Sequence, residues 1–162
     1  MSASDVPDHD DVVLLLEACA SRLGDDVLAR VRSECGDDIR YRDGYVFQHL
    51  LTGPKTISEL ANRLGVTQQA MSKQVGDLLR RDLVVKHRDP ADGRAWLVSL
   101  GERGHAVIDA GRRARSSIAQ QLVDALGADS MQRLVEDLLL LSEETGAMEH
   151  LMSRRLRPED VR

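Results

Sequence analysis

The sequence predicts a mainly α-helical chain built around two short helices, a tight turn between them, and a β-hairpin directly after. Three observations carry this. First, TISELANRLGVTQQAMSKQ (56–74) holds two helix-start threonines, Thr56 and Thr67, with a turn-forming Gly65 between them. Second, LVVKHR (83–88) and RAWLVSL (94–100) read as strands flanking DPADG (89–93), whose Asp-Pro and Asp-Gly pairs are turn signals. Third, long stretches of helical periodicity precede and follow this unit. Aromatic residues make up only 2% of the chain, so the core falls to Leu, Val, Ala, Ile and Met, which suit packed helices.

Taken in order, residues 11–35 place apolar side chains at 12, 16, 19, 23, 27 and 31, close to a helical repeat. Asp10 and Asp11 suit the positive end of that helix, Gly24 is a point of interruption, and Gly36 is the expected stop. A second helix is expected over 39–51, with Tyr41, Tyr45, Val46, Leu50 and Leu51 apolar and Gly53-Pro54 ending it. Thr56-Ile57-Ser58-Glu59 has the capping-box form. The helix it opens, 57–64, buries Ile57, Leu60, Ala61 and Leu64.

Thr67 caps the next helix, which runs to about Arg81. At about 100° per residue, Met71, Val75 and Leu78 share one side, with Ala70 and Leu79 flanking. Gln69, Ser72, Lys73, Gly76 and Arg80 share the other, with Gln68 at its edge. After the hairpin, a helix over 102–126 aligns Val107, Ala110, Ala114, Ile118 and Leu122. Asp129 and Gln132 mark a last helix expected to reach about 153, before a frayed tail at 157–160.

Several function classes are excluded. There is no P-loop, GxGxxG, GxSxG or HExxH motif, so no catalytic residue and no cofactor is expected. Two cysteines, Cys19 and Cys35, without a CxxC or a Cys/His cluster argue against a metal site or a disulfide scaffold. No apolar run is long enough to span a bilayer, so no membrane partner is expected. VVLLLEACA (12–20) follows acidic rather than basic residues, so a cytoplasmic location is expected. The net charge of −5 hides a partition: residues 1–40 carry −6, residues 41–115 carry +5, and residues 116–162 carry −4. A basic middle between acidic ends is an electrostatic footprint of polyanion binding.

Helix-turn-helix plus hairpin is where a family resemblance becomes specific. Residues 57–104 resemble the winged helix-turn-helix of the MarR family of bacterial transcription regulators. The wing carries the family's Asp-x-Arg, then Leu and Gly: Asp92, Arg94, Leu100 and Gly104. Two positions depart from the family pattern. Leu100 is followed by Gly101 rather than Thr, and Asp82 stands where a glycine usually follows the recognition helix. The resemblance implies a dimerisation helix over 1–36, a winged DNA-binding domain over 37–104, and C-terminal dimerisation helices over 105–162. It implies a homodimer on a pseudo-palindromic site in double-stranded DNA, and a repressor released by a small aromatic or anionic effector.

Gln68, Gln69, Ser72 and Lys73 are the expected base readers, since Gln pairs with adenine edges and Lys with guanine acceptors. At the wing, Asp92 is expected to orient Arg94 by an ion pair, and Arg94 to enter the minor groove. Lys55, Arg63, Thr67, Lys86 and Arg88 are expected at phosphates, where contacts position without specifying. Tyr41, Tyr45 and His49 lie where the family places its effector pocket, although an aromatic cluster at helical spacing also suits a core. Two other readings stay open: a regulator sensing oxidants through Cys19 or Cys35, and a winged helix that docks on protein.

Overall fold

The computed structural model describes residues 11–147. Six helices and one hairpin follow in the order α1 (Val12–Cys35), α2 (Asp43–Leu50), α3 (Ile57–Leu64), α4 (Gln68–Arg80), β1 (Val84–Arg88), β2 (Trp96–Leu100), α5 (Glu102–Leu126) and α6 (Ala128–Thr145). This is a winged helix-turn-helix with helical arms. The expected end of the last helix near 153, and the tail, lie outside the described residues. No helix among the described residues is long and apolar enough to cross a membrane.

Two expectations about helices need correction. α1 passes through Gly24 without a break. A glycine costs a helix only about 1 kcal/mol, and here the Tyr41 ring lies 3.7 Å from where a Cβ would stand, so tertiary packing covers the position. α2 begins at Asp43, not 39, because the Arg40 N–H donates to the Asp43 carboxylate at 2.9 Å and folds residues 40–43 into a turn. Tyr41 therefore precedes the helix and stays 55% exposed.

The core gathers Val46, Phe47 and Leu50 of α2, Leu60, Ala61 and Leu64 of α3, and Met71, Val75 and Leu78 of α4. Leu83, Val84, Val98 and Leu100 close it from the hairpin, and Val31, Val107 and Ala110 carry it into α1 and α5. The hairpin is antiparallel, pairing Val84 with Leu100, Lys86 with Val98 and Arg88 with Trp96. Lys55 adds a short third edge, since its N–H and C=O both bond to Val98.

The departures at Gly101 and Asp82 are accommodated together. Asp82 adopts the left-handed conformation, φ 56°, that asparagine and aspartate tolerate best after glycine. Gly101 starts α5 with no side-chain cap, and a Cβ there would lie 2.8 Å from the Asp82 carbonyl oxygen. At Gly104 a Cβ would fall 2.1 Å from the Leu83 carbonyl oxygen, so α5 touches the base of the wing where only glycine fits.

The arms differ from this core. Val12, Val13, Leu14, Leu15 and Leu16 at the start of α1 are largely exposed, as are Leu138, Leu139, Leu140 and Leu141 of α6. α6 buries no residue at all in the single chain.

Candidate nucleic-acid interface

The helix-turn-helix is held by two caps that the local sequence dictates. Thr56 N–H and hydroxyl donate to Glu59 Oε2 at 2.7 and 2.8 Å, while Thr56 Oγ1 accepts from the Glu59 N–H at 3.1 Å. The hydrogen bonds from Thr56 hold the Glu59 carboxyl below its ordinary value. Gly65 turns the chain in the left-handed region, and Thr67 Oγ1 accepts from the Ala70 N–H at 3.1 Å to open α4. Caps of this kind contribute about 1 kcal/mol each and fix the angle at which α4 leaves α3.

α4 buries Met71, Val75 and Leu78 and turns Gln68, Gln69, Ser72 and Lys73 to the exterior, all four exposed. Gln68 is the exception in this group, because its Nε2 donates to Ser58 Oγ at 2.9 Å and ties the start of α4 to α3. Among the described residues, no hydrogen bond or ion pair holds Gln69, Ser72 or Lys73. The four residues thus share one open, polar, cationic surface, which the helical period places on the side away from the core.

The rear of α4 is the opposite. Arg81 donates to Asp43 through both terminal nitrogens, at 2.7 and 2.9 Å, and to Asp77 at 2.7 Å. Arg40 and Arg80 also bond Asp77, at 2.9 and 3.0 Å. Asp43 is 1% exposed and the Arg81 side chain 10%. The hydrogen bonds that Arg81 donates to Asp43 raise its pKa against the burial that opposes it. Burial alone would raise Asp77, but the charges of Arg81, Arg40 and Arg80 together hold its carboxyl below the ordinary value. Arg103 of α5 joins this cluster, donating to the Arg81 carbonyl at 2.7 Å, the Cys35 carbonyl at 2.8 Å and the Asp38 carboxylate at 2.9 Å. None of this network was foreseen from the sequence. Its local signals are the i, i+3 spacing of Asp77 with Arg80 and the i, i+4 spacing of Asp77 with Arg81.

The wing corrects one expectation. Asp92 and Arg94 form no ion pair; instead Asp92 Oδ1 accepts from the Arg94 backbone N–H at 3.0 Å. A short aspartate at a hairpin tip reaches the main chain two residues on more readily than the end of a long arginine. The Arg94 guanidinium is left exposed, without a partner among the described residues. Of the expected phosphate contacts, Arg63, Thr67, Lys86 and Arg88 are exposed. Lys55 is half-buried, and its ammonium donates to the Gly53 and Pro54 carbonyls at 3.0 and 3.3 Å.

The aromatic group is only partly assembled. The Tyr41 and Tyr45 rings meet edge to face with centroids 6.0 Å apart. His49 follows Tyr45 by one turn of α2, and burial, then the charges of Arg63 and Lys55, push its pKa down. Two shallow cavities among the described residues, about 380 and 440 Å³, lie away from these rings. One lies beside Val123 and Met131, the other beside Asp82 and Gly101. Cys19 is exposed and Cys35 half-buried. They stand sixteen residues apart on one unbroken helix, about 24 Å, too far for a disulfide within the chain.

A capped helix-turn-helix with a cationic wing defines a class, the winged-helix proteins. The sequence model of the MarR family matches residues 38–95. The resemblance read from the helix-turn-helix and the wing tip is thus matched over those residues, which are similar to the MarR family, and the chain shares its fold with solved structures of that type. Among solved structures, RV1404 from Mycobacterium tuberculosis is 24% identical with a TM-score of 0.72, over 85% of this chain and 95% of that one. FabT of Streptococcus pneumoniae in complex with DNA is 17% identical with a TM-score of 0.67, over 87% and 99%. A MepR mutant from S. aureus bound to an oligodeoxyribonucleotide is 18% identical with a TM-score of 0.64, over 82% and 96%. At these identities the likeness is one of fold. No curated protein matches the chain.

Proposed function

We propose that this protein is a sequence-specific regulator of transcription that binds double-stranded DNA as a homodimer and represses by occupying its site. The carrying observation is the exposed surface of Gln68, Gln69, Ser72 and Lys73 on a helix whose opposite side is wholly buried. Such a surface offers amide and ammonium groups matched to major-groove edges. Arg94 supplies a second, exposed cation at the wing for the minor groove, with Arg63, Thr67, Lys86 and Arg88 toward phosphates. The DNA-bound structures of FabT and the MepR mutant, of the same fold, support this reading. A protein-docking winged helix would present an apolar or acidic surface here, and this one is neither.

The apolar residues left open on α1 and α6 support pairing of two chains, which sets two recognition helices about one DNA turn, roughly 34–36 Å, apart on a pseudo-palindrome. An aromatic anion bound near Tyr41, Tyr45 and His49 would release the DNA, with Arg63 and Lys55 supplying positive charge beside the histidine.

The test is selection of bound fragments from the source genome, followed by titration of a selected duplex at several salt concentrations. Log affinity falls linearly with log salt, with a slope of about −0.9 for each phosphate contacted, and two chains bind each site. Affinity that ignores salt, or one chain per site, would overturn the reading.

A further inference from the structure

Trp96 is the chain's single tryptophan, and it is 42% exposed on β2. Isolated exposed apolar residues are ordinary, but this ring is covered by cations. The Arg88 guanidinium stands over it at 4.2 Å from the ring centroid, and the Lys86 ammonium at 5.2 Å. Arg88 and Trp96 are direct cross-strand partners, so the hairpin register itself brings guanidinium and indole together.

From that seat Arg88 Nη1 donates to the Arg94 carbonyl oxygen at 3.2 Å. The Arg94 N–H is already taken by Asp92 at 3.0 Å. Both polar main-chain atoms of Arg94 are therefore held, while its guanidinium is open. The remaining tip is pinned locally, with the Asp89 N–H donating to the Ala95 carbonyl at 3.1 Å and the Ala95 N–H to the Asp92 carbonyl at 2.9 Å.

We propose that Trp96 is a positioning residue that works through Arg88 to present Arg94 to the minor groove. Arg88 is then a strut inside the wing as well as a cation near the phosphates. A held tip removes the loop-ordering cost that binding would otherwise carry. The inference rests on the DNA reading above and names how its wing is kept ready.

The test uses the full chain and selected duplexes whose flanks are rewritten as A·T-rich or G·C-rich. The wild type prefers A·T-rich flanks, whose narrow minor groove attracts arginine. Arg94→Ala abolishes that preference. Trp96→Leu weakens binding to A·T-rich flanks about threefold, the size expected of an exposed cation–π contact. Trp96→Phe restores most of it. In the Arg94→Ala background, Trp96→Leu changes nothing further, and a role confined to folding would not show that dependence. Hydrogen exchange at the Arg94 amide, read without DNA, quickens in Trp96→Leu and not in Trp96→Phe. A preference kept by Trp96→Leu, or an equal loss without Arg94, overturns the proposal alone. A wild type that binds no duplex overturns it together with the DNA reading.

Discussion

The two ends of α4 carry similar polar residues and use them in opposite ways. At the front, Gln69, Ser72 and Lys73 are exposed and hold nothing in the protein. At the rear, Asp77 and the adjacent Arg81 are tied to Asp43, Arg40 and Arg80, with Asp43 almost entirely buried. A charged group taken out of water must find compensation within the fold, whereas one left in water stays available to a ligand. The rear therefore fixes where the helix lies, and the front supplies what it offers.

That contrast is broken most forcefully from the rear. Asp43→Ala leaves Arg81 buried without its bidentate partner and destabilises the chain by about 3–5 kcal/mol, read by urea unfolding. A loss below about 1 kcal/mol would mean that water reaches Arg81, and the rear would then resemble the front. From the front, Lys73→Ala leaves the unfolding midpoint in place and removes about 1–3 kcal/mol of discrimination between selected and random duplex. Equal losses on both duplexes would reduce Lys73 to a phosphate contact.

The finest separation is by pH, and it comes in two steps. His49, held below its ordinary value by burial and by Arg63 and Lys55, lies on the side of the candidate phosphate contacts. A histidine depressed in the folded state binds protons more readily unfolded, so stability starts to fall below the ordinary value of 6.5. Asp77 is also depressed, as is Asp38 through its hydrogen bonds from Arg103. Their contribution is present above the ordinary value of 3.8 and is lost as pH falls through the lower folded values. His49→Gln removes only the upper step and Asp77→Asn weakens only the lower one, as unfolding measured across acid pH would show.

What the sequence made legible was local. Thr56 and Glu59 are three residues apart, so a capping box can be read directly, as can the hairpin from its DPADG tip. The exposed side of α4 follows from one helical period. The pairing of Asp43 with Arg81 joins residues 38 apart and leaves no mark in either neighbourhood. Nor does periodicity show the bond from the Arg40 N–H to the Asp43 carboxylate, which holds residues 40–43 in a turn and starts α2 at Asp43 rather than 39. Asp92 and Arg94 were close enough to be matched, but spacing does not distinguish a bond to the guanidinium from one to the main chain.

Gly104 has a mechanical side. Backbone meets backbone there, so α5 bears on the wing's base at one hard point near its own first turn. The helix then runs on for 25 residues in all, about 37 Å. Over that length a tilt of about 5° at Gly104 displaces the far end by about 3 Å. The arm is a lever with its fulcrum under the wing, and a side chain at the fulcrum would set it at a different angle.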